Sequence, residues 1–94
     1  MLYMVIERYR HGAAPVYKRL TAEGRLLPPG VAFVDSWVVD EPEISRCFQL
    51  MEVDSLQSLT QWTDGWSDLV DFKLFPVIDS QAAAARARGA DAAG

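Results

Sequence analysis

Short alternating runs and longer helical runs of hydrophobic residues divide the chain into six predicted elements. Four runs are rich in β-branched and aromatic side chains and are bounded by charged, Pro- or Gly-containing segments, which is typical of strands. Two other runs repeat their apolar positions every three or four residues, which is typical of amphipathic helices. The predicted strands are residues 2–9, 31–39, 45–53 and 69–78, and the predicted helices are residues 14–27 and the segment from Asp54 to Trp66.

Local signals place the ends of these elements. Pro15 suits the first turn of the first helix, where a missing backbone N–H costs nothing, and the sequence Pro-Pro-Gly at 28–30 ends that helix. Asp54 is the predicted N-cap of the second helix, with Gln57 three residues later completing a capping box. Pro76 cannot donate a ladder hydrogen bond, so it predicts an edge position for the fourth strand.

The order of the elements predicts the fold. Strand, helix, strand, strand, helix, strand is the split-βαβ pattern of ferredoxin-like α+β domains, with a four-stranded antiparallel sheet and both helices on one face. In that topology the first and third strands are central and the fourth lies at an edge, in agreement with Pro76. Residues 1–79 are the predicted domain, and residues 80–94 are an Ala/Arg-rich tail that forms a short helix or a flexible end.

The face of the sheet away from the helices is predicted to be apolar. We assign Phe48, Leu50, Val34 and Val38 to the helix side. The remaining large side chains then form a contiguous patch that soluble monomers seldom expose. We therefore expect a homodimer in which two sheets pack face to face, burying on the order of 2,000 Å². The side chains assigned to the free side are Phe33, Trp37, Val39, Cys47 and Met51, with either Tyr3 and Val5 or Met4 and Ile6.

Composition limits the cellular compartment and the kinds of partner that are expected for the protein. The chain has 94 residues, 50% of them hydrophobic, and a net charge of −4, which predict one folded domain and argue against nucleic acid as a partner. No apolar run reaches the roughly 18 residues that span a membrane, so no membrane association is expected. Cys47 is the only cysteine, which leaves no disulfide partner within the chain and predicts a reducing compartment, the cytoplasm.

Several short motifs resemble a known family. They are "RCFQLMEVD" at 46–54, the Trp62-x-x-x-Trp66 pair, "DLVDF" at 68–72 and "PV" at 76–77. They are similar to those of a small bacterial family known as a domain of unknown function, within the dimeric α/β-barrel superfamily of ferredoxin-like proteins. The resemblance covers about residues 1–79 and implies the fold and the sheet-to-sheet dimer. It brings no established catalytic residues, because the superfamily includes cofactor-free monooxygenases, haem-binding enzymes, stress-response dimers and degradative enzymes.

Five residues are the candidates for a ligand site. Gln49 lies mid-strand, where an unpaired amide costs about 1 to 3 kcal/mol, so it needs a partner, and Asp35 is the expected one. Trp62 and Trp66 are one helical turn apart and share a face, either as core packing or as the wall of a pocket. Trp37 completes the predicted lining. The polar pair either orients a ligand or satisfies only itself.

Other side chains offer chemistry without a supporting motif. Glu7, Asp35 and Glu52 are candidate general bases, since burial in an apolar barrel raises the pKa of a carboxyl towards neutrality. His11 is the only imidazole available to a haem iron or to Cys47 as a base, whereas a lone mid-strand cysteine is more typical of a small buried hydrophobe. The sequence has no metal-ligand spacing and no phosphate loop, so no metal and no cofactor are expected.

Two functions fit these features. The first is a homodimeric domain that binds a small apolar or aromatic molecule, with monooxygenase-like or other degradative chemistry. The second is a structural or regulatory dimer with no catalytic activity. A pocket of about 300 Å³ or more, lined by Trp37, Gln49 and Trp66, is expected for the first and a filled interior for the second.

Overall fold

Four strands and three helices make up the described part of the chain. The computed structural model describes residues 1–93, with side chains through residue 89. All four predicted strands and both predicted helices are present, and the tail contains a third helix. The strands are β1 (Leu2–Tyr9), β2 (Val31–Val38), β3 (Arg46–Val53) and β4 (Val70–Val77), and the helices are α1 (Ala13–Glu23), α2 (Leu56–Asp64) and α3 (Ser80–Ala93).

The sheet has the predicted topology. Its strand order is β2-β3-β1-β4, with every neighbouring pair antiparallel, so β1 and β3 are central. Pro76 lies in the edge strand β4, opposite Tyr3. An edge strand tolerates proline because one side of its backbone needs no ladder hydrogen bond. The ferredoxin-like α+β fold is therefore confirmed.

Two helix ends differ from the predictions. Helix α1 ends at Gly24 and not at residue 27, because Gly24 adopts φ 71°, a left-handed conformation that glycine accepts, and its N–H donates to the carbonyl of Leu20. The N-cap of α2 is Ser55 and not Asp54: Ser55 Oγ accepts from the backbone N–H of Ser58 at 3.1 Å. Ser55 has the extended backbone that an N-cap requires, while the N–H of Asp54 donates to the carbonyl of Gly30.

One hydrophobic layer lies between the sheet and the helices. Val5, Met51, Leu59 and Val70 are its fully buried members, contributed by three strands and by α2. Trp62 and Trp66 join this layer, as the helical spacing predicted.

Strand β3 presents the opposite face to the one predicted. Cys47, Gln49 and Met51 are buried against the helices, and Phe48 and Leu50 lie on the other side of the sheet. The prediction was wrong because both faces of β3 carry large apolar side chains. Alternation alone therefore does not determine which of the two rows faces the helices. The pairing with β1 sets it: Met51 lies opposite Tyr3 and Cys47 opposite Glu7, on the buried side.

A bulge in β2 also changes which side chains face the helices. The register with β3 shifts between Phe33, which pairs with Met51, and Asp35, which pairs with Leu50. The extra residue, Val34, is 49% exposed, against the prediction that it packs under the helices. A one-residue insertion of this kind reverses the alternation beyond it, so Phe33 lies on the helix side and Asp35 on the other.

The face of the sheet away from the helices is apolar, as predicted, but with a partly different membership. Trp37 belongs to it as expected, and the alternative that placed Met4 and Ile6 there is the correct one. Phe33, Cys47 and Met51 do not belong to it. We call this surface the free face; its apolar members are Leu2, Met4, Ile6, Ala32, Trp37, Phe48, Leu50, Phe75 and Val77. The same face carries the charged side chains of Arg8, Asp35, Arg46, Glu52, Asp71 and Lys73.

Helix α3 lies outside the two packed layers. Asp79 begins it, since Asp79 Oδ1 accepts from the backbone N–H of Ala82 at 2.7 Å. Of its described side chains, all are exposed except that of Ala84, which is half-buried. The division of the chain at residue 79 stays a prediction, and Gly94, the last residue of the predicted tail, lies outside the described residues.

Candidate functional site

A small cavity lies between the helices and the sheet. Its volume is about 100 Å³, the space of roughly three water molecules, and it is open to solvent on one side. We call it the cleft. Its apolar lining consists of Val16, Tyr17, Leu20, Val38, Trp62 and Trp66. Its polar lining consists of Glu7, Tyr9, Arg25, Ser36, Cys47 and Gln49.

Glu7 is a carboxyl group inside the packed layer. The alternation of β1 points Tyr3, Val5, Glu7 and Tyr9 towards the helices, and only 4% of Glu7 is exposed. Burial raises the pKa of Glu7 from 4.5 to about 7, although the hydrogen bond from Gln49 and the charge of Arg25 oppose the rise. At neutral pH the two protonation states of Glu7 are therefore similarly populated, which suits a group that accepts and returns protons.

Gln49 is the hydrogen-bond partner of Glu7. Its Nε2 donates to Oε2 of Glu7, one strand away in the sheet. Its Oε1 is buried and has no hydrogen-bond partner among the described residues. An acceptor left unsatisfied in this way costs about 1 to 3 kcal/mol. Gln49 lines the cleft, so a bound molecule whose O–H or N–H group reached Oε1 would satisfy this acceptor.

Cys47 and Tyr9 complete the inner end of the cleft and are both held in their neutral forms. Burial, reinforced by the nearby charge of Glu7, raises the pKa of the Cys47 thiol to about 11. Burial likewise raises the pKa of Tyr9 well above its usual 10. A thiol that keeps its proton at neutral pH is a poor nucleophile. His11 does not line the cleft; it is exposed in the turn after β1, so it is not placed to activate Cys47.

Arg25 joins the two tryptophans to the sheet. The Nε1 atoms of Trp62 and Trp66 both donate to the backbone carbonyl of Arg25, at 2.8 and 3.0 Å. The guanidinium carbon of Arg25 lies 3.7 Å from the ring centroid of Phe33, a cation–π contact with a β2 side chain. The segment after α1 is thereby fixed over the cleft by its backbone, while its side chain brings a positive charge to the rim.

A second arginine closes the outer end of the helix layer. Arg19 on α1 donates from both terminal nitrogens to the carboxylate of Asp68, at 2.8 and 2.6 Å. The same guanidinium lies 5.3 Å from the ring centroid of Trp66. The hydrogen bonds from Arg19 lower the pKa of Asp68 to about 2. This pair ties α1 to the segment that follows α2 and so holds the two walls of the cleft together.

The structure brings three of the five predicted ligand residues together. Gln49, Trp62 and Trp66 line the cleft, whereas Asp35 and Trp37 lie on the free face. The predicted pair of Asp35 with Gln49 is wrong, because the β2 bulge and the phase of β3 put the two side chains on opposite faces. Asp35 instead accepts at Oδ1 from the backbone N–H of Ser36, at 2.8 Å.

Among the three candidate bases, only Glu7 lies in the cleft. Glu52 is exposed and pairs with the N-terminal amine at 2.7 Å. Arg25 and Tyr9 line the cleft without having been predicted from the sequence. Tyr9 was detectable in principle, since it shares the i, i+2 row of Glu7 in the first strand. Arg25 was missed because the predicted helix 14–27 included it, whereas α1 ends at Gly24 and Arg25 lies in the turn that follows.

Two further kinds of site were sought. Among the side chains that the structure describes, those of residues 1–89, no group of three or more His, Cys, Asp or Glu is placed to hold a metal ion. In the same part of the chain, no helix is both long enough and apolar enough to cross a membrane.

Together the sheet order, the helix layer and the cleft define a small ferredoxin-like α+β domain. The chain belongs to the family described as "Domain of unknown function (DUF3303)", whose model matches residues 1–91 and thus most of α3 as well. The family resemblance of the sequence motifs is confirmed. No curated protein matches the chain significantly.

A solved structure shares the fold. Protein Atu4242 from Agrobacterium tumefaciens, known from a crystal structure, is similar with a TM-score of 0.50. The match covers 85% of this chain and 96% of that chain at 15% sequence identity. At this identity the likeness concerns the fold alone.

Proposed function

We propose that this domain binds a small, largely apolar molecule in the cleft, with Glu7 as the proton acceptor of a degradative or monooxygenase-like reaction that needs no cofactor. The observation that carries the proposal is the unsatisfied Oε1 of Gln49, buried beside Glu7. A structural amide in a packed core normally has all its polar atoms paired. Because Gln49 lines the cleft, a ligand donor that reaches its Oε1 would supply the missing partner.

The electrostatics of Glu7 support a role in proton transfer. A general base works best when its pKa lies near the ambient pH, and burial brings the pKa of Glu7 to about 7. A ligand hydroxyl beside Gln49 would lie near the Glu7 carboxylate, because the two side chains are hydrogen-bonded to each other. Turning its O–H from Gln49 Oε1 towards Glu7 would let the carboxylate take the proton and leave the ligand as an electron-rich anion.

The size of the cleft limits how the ligand is held. About 100 Å³ accommodates a polar group and a few atoms, less than the 300 Å³ or more that encloses a whole drug-sized ligand. The rest of the molecule would lie at the open side, against partly exposed residues. Those residues are Tyr17, Leu20, Arg25, Ser36 and Val38.

Phenol is a suitable minimal probe, because it has one donor hydroxyl and one aromatic ring. In a Trp37→Phe background the fluorescence of Trp62 and Trp66 reports on the cleft alone, since Trp37 lies on the free face. We expect saturable quenching by phenol, weakened roughly tenfold or more by Gln49→Leu, which removes the acceptor. Gln61→Leu, the same substitution at an exposed position of α2, is the matched control. Equal quenching of the Gln49→Leu and Gln61→Leu proteins would refute the proposal.

The second part of the proposal is that two copies pair through their free faces in the cytoplasm. Trp37 and Phe75 on this face are 51% and 49% exposed, beside Met4, Ile6, Phe48 and Leu50. Four strands of eight residues cover about 500 Å² in projection, so two faces together reach the roughly 1,000 Å² that a specific interface needs. A second copy offers an identical apolar surface. The single free thiol, Cys47, supports a reducing compartment.

The rival function is a structural or regulatory dimer without catalysis, and the small volume of the cleft favours it. In that case the Glu7 and Gln49 side chains would only satisfy each other. The phenol titration separates the two functions, because the rival predicts no saturable binding. A native mass spectrum of protein purified from its own host adds an independent test, since it reports a retained small molecule and the stoichiometry together.

A further inference from the structure

We infer that the ligand is an aromatic hydroxy acid, whose hydroxyl donates to Oε1 of Gln49 at the inner end of the cleft and whose carboxylate pairs with the guanidinium of Arg25 at its mouth. This inference rests on the proposed function and names its ligand class. It depends on two polar groups of the cleft that have no complementary partner among the described side chains, and on the aromatic side chains that line the cleft.

The inner group is an acceptor. Gln49 is 9% exposed, its Nε2 is engaged by Glu7, and its Oε1 is buried and unpaired within the described residues. A hydroxyl satisfies it, whereas an ether or a bare ring leaves it unsatisfied. Phenolic hydroxyls keep their proton at neutral pH, since their ordinary pKa is about 10, so they remain donors on entering the cleft.

The outer group is a cation. Arg25 lines the cleft and rests on the ring of Phe33, and its guanidinium makes no ion pair with a carboxylate among the described residues. This distinguishes it from the other four arginines between β1 and β3, each of which has a carboxylate within 4 Å. Those arginines are Arg8, Arg10, Arg19 and Arg46. A planar guanidinium held at a cavity mouth suits a carboxylate, which it binds through two parallel hydrogen bonds.

The walls between these groups favour a flat, unsaturated body. Tyr9, Tyr17, Trp62 and Trp66 contribute four aromatic rings to the lining. Aromatic side chains pack well against a ring in stacked or edge-on geometry. A cavity of about 150 Å³ is enough for benzene, so the cleft admits the hydroxyl-bearing edge of a ring and leaves the carboxylate edge at the mouth.

The charges around Glu7 predict a proton-linked signature of binding. Among the described residues that line the cleft, Arg25 is the only charged one besides Glu7, whereas Arg8, Arg46, Asp71 and Lys73 lie near Glu7 in a separate depression. When a carboxylate neutralises Arg25, Glu7 loses part of the positive charge that lowers its pKa, so its protonated fraction rises. The uncharged side chains around Glu7 are Tyr9 on β1, Ser36 on β2, Cys47 and Gln49 on β3, Trp62 and Trp66 beside α2, and Phe72 on β4.

Four related probes test the two contacts separately. They are 4-hydroxybenzoate, which has both groups, phenol, which lacks the carboxylate, benzoate, which lacks the hydroxyl, and 4-methoxybenzoate, whose ether oxygen cannot donate. We expect 4-hydroxybenzoate to bind roughly tenfold or more tightly than each of the other three in the Trp37→Phe fluorescence assay. Titration calorimetry at pH 7.5 in two buffers of different ionisation enthalpy should show proton uptake with 4-hydroxybenzoate and none with phenol.

Arg25→Gln isolates the outer contact. The substitution keeps the backbone carbonyl that accepts from Trp62 and Trp66, so the cleft keeps its wall. We expect it to weaken 4-hydroxybenzoate roughly tenfold and to leave phenol unchanged, which also shows that the variant is folded. Lys18→Gln removes an equal charge from an exposed position of α1 outside the cleft and should change neither ligand.

The outcomes distinguish the inference from the function on which it rests. If phenol binds as tightly as 4-hydroxybenzoate and Arg25→Gln weakens neither, the ligand class is wrong while the binding cleft stands. If none of the four probes shows saturable binding, both are wrong. If benzoate and 4-hydroxybenzoate bind equally, the hydroxyl contact with Gln49 is wrong.

Discussion

The side-chain amide of Gln49 on β3 donates a hydrogen bond from Nε2 to Oε2 of Glu7 on β1, inside the layer between sheet and helices. The pair is diagonal in the ladder, since Glu7 lies opposite Cys47 and Gln49 opposite Val5. Diagonal neighbours on one face of a sheet are within reach of long side chains. This hydrogen bond holds the carboxyl group of Glu7 in the packed layer, where water is normally excluded. The effect of its burial on the free energy of unfolding is measurable.

The raised pKa of Glu7 makes the stability of the protein depend on pH. A carboxyl whose pKa rises from 4.5 to about 7 on folding stabilises the fold fully below pH 4.5, and that contribution is lost as the pH rises through 7. We expect the free energy of unfolding to fall by on the order of 3 kcal/mol from this group between pH 4.5 and 8. Urea unfolding followed by circular dichroism across this range measures the decline.

Glu7→Gln is the variant that identifies the group. It should remove the decline and make the protein more stable than wild type at pH 8, because the neutral amide accepts from Gln49 Nε2 without burying a charge. Glu43→Gln, at an exposed position, should keep the wild-type slope. Parallel pH profiles for wild type and Glu7→Gln would show that Glu7 is not the group responsible.

The two hydrogen bonds at the carbonyl of Arg25 should be energetically coupled. Trp62→Phe and Trp66→Phe each leave one indole N–H on that carbonyl, so each substitution should cost about 1 kcal/mol beyond its loss of packing. The double variant leaves the carbonyl with neither donor, so its loss should exceed the sum of the two by on the order of 1 kcal/mol. Urea unfolding of the four proteins completes the cycle.

A second cycle with a distant tryptophan is the control. Trp37 lies on the free face and touches neither partner of the Arg25 carbonyl, so Trp37→Phe combined with Trp62→Phe should be additive. Additivity in both cycles would mean that the two hydrogen bonds act independently and would refute the expected coupling.

The free face should control the oligomeric state. We expect wild-type protein to sediment as a dimer, at twice the chain mass of 10.5 kDa, and Trp37→Lys or Phe75→Lys to dissociate it, since each places a charge on the apolar surface. Sedimentation equilibrium at micromolar concentration is the measurement. Leu56→Lys on α2, 49% exposed like Phe75 but on the other side of the molecule, should remain dimeric. A wild-type monomer at this concentration would refute the pairing.

Gly30 should tolerate no side chain, whereas Gly89 should. Gly30 precedes β2 with φ +87°, and an added Cβ would collide with the carboxylate of Asp54. We expect Gly30→Ala to cost about 1 to 3 kcal/mol from backbone strain and the collision. Gly89→Ala on α3 meets open space and should be neutral or stabilise by up to about 1 kcal/mol. Thermal unfolding of both variants provides the comparison, and similar effects at the two sites would contradict it.

The sequence determined the elements and their order, because local signals decide both. Alternation, helical spacing and Pro76 predicted four strands, two helices and an edge position for β4, and all were confirmed. The apolar character of the free face was also readable, since Trp37 and the Phe48 region offer more large side chains than one buried face can take.

Only the tertiary structure decided which side chains share the cleft. In β3 both rows contain apolar side chains, so the sequence alone does not show whether Phe48 or Gln49 faces the helices. In β2 the bulge at Val34 moves Asp35 to the opposite face from the one that simple alternation predicts. A shift of one residue exchanges the two faces of a strand. The hydrogen-bond partner of Gln49 is therefore Glu7 and not Asp35. Arg25 lies in a turn, where the sequence has no periodicity from which its position could be predicted. Periodicity shows that side chains alternate between the two faces of a strand. Which face a given side chain occupies depends on the pairing register, and packing across the whole sheet fixes that register.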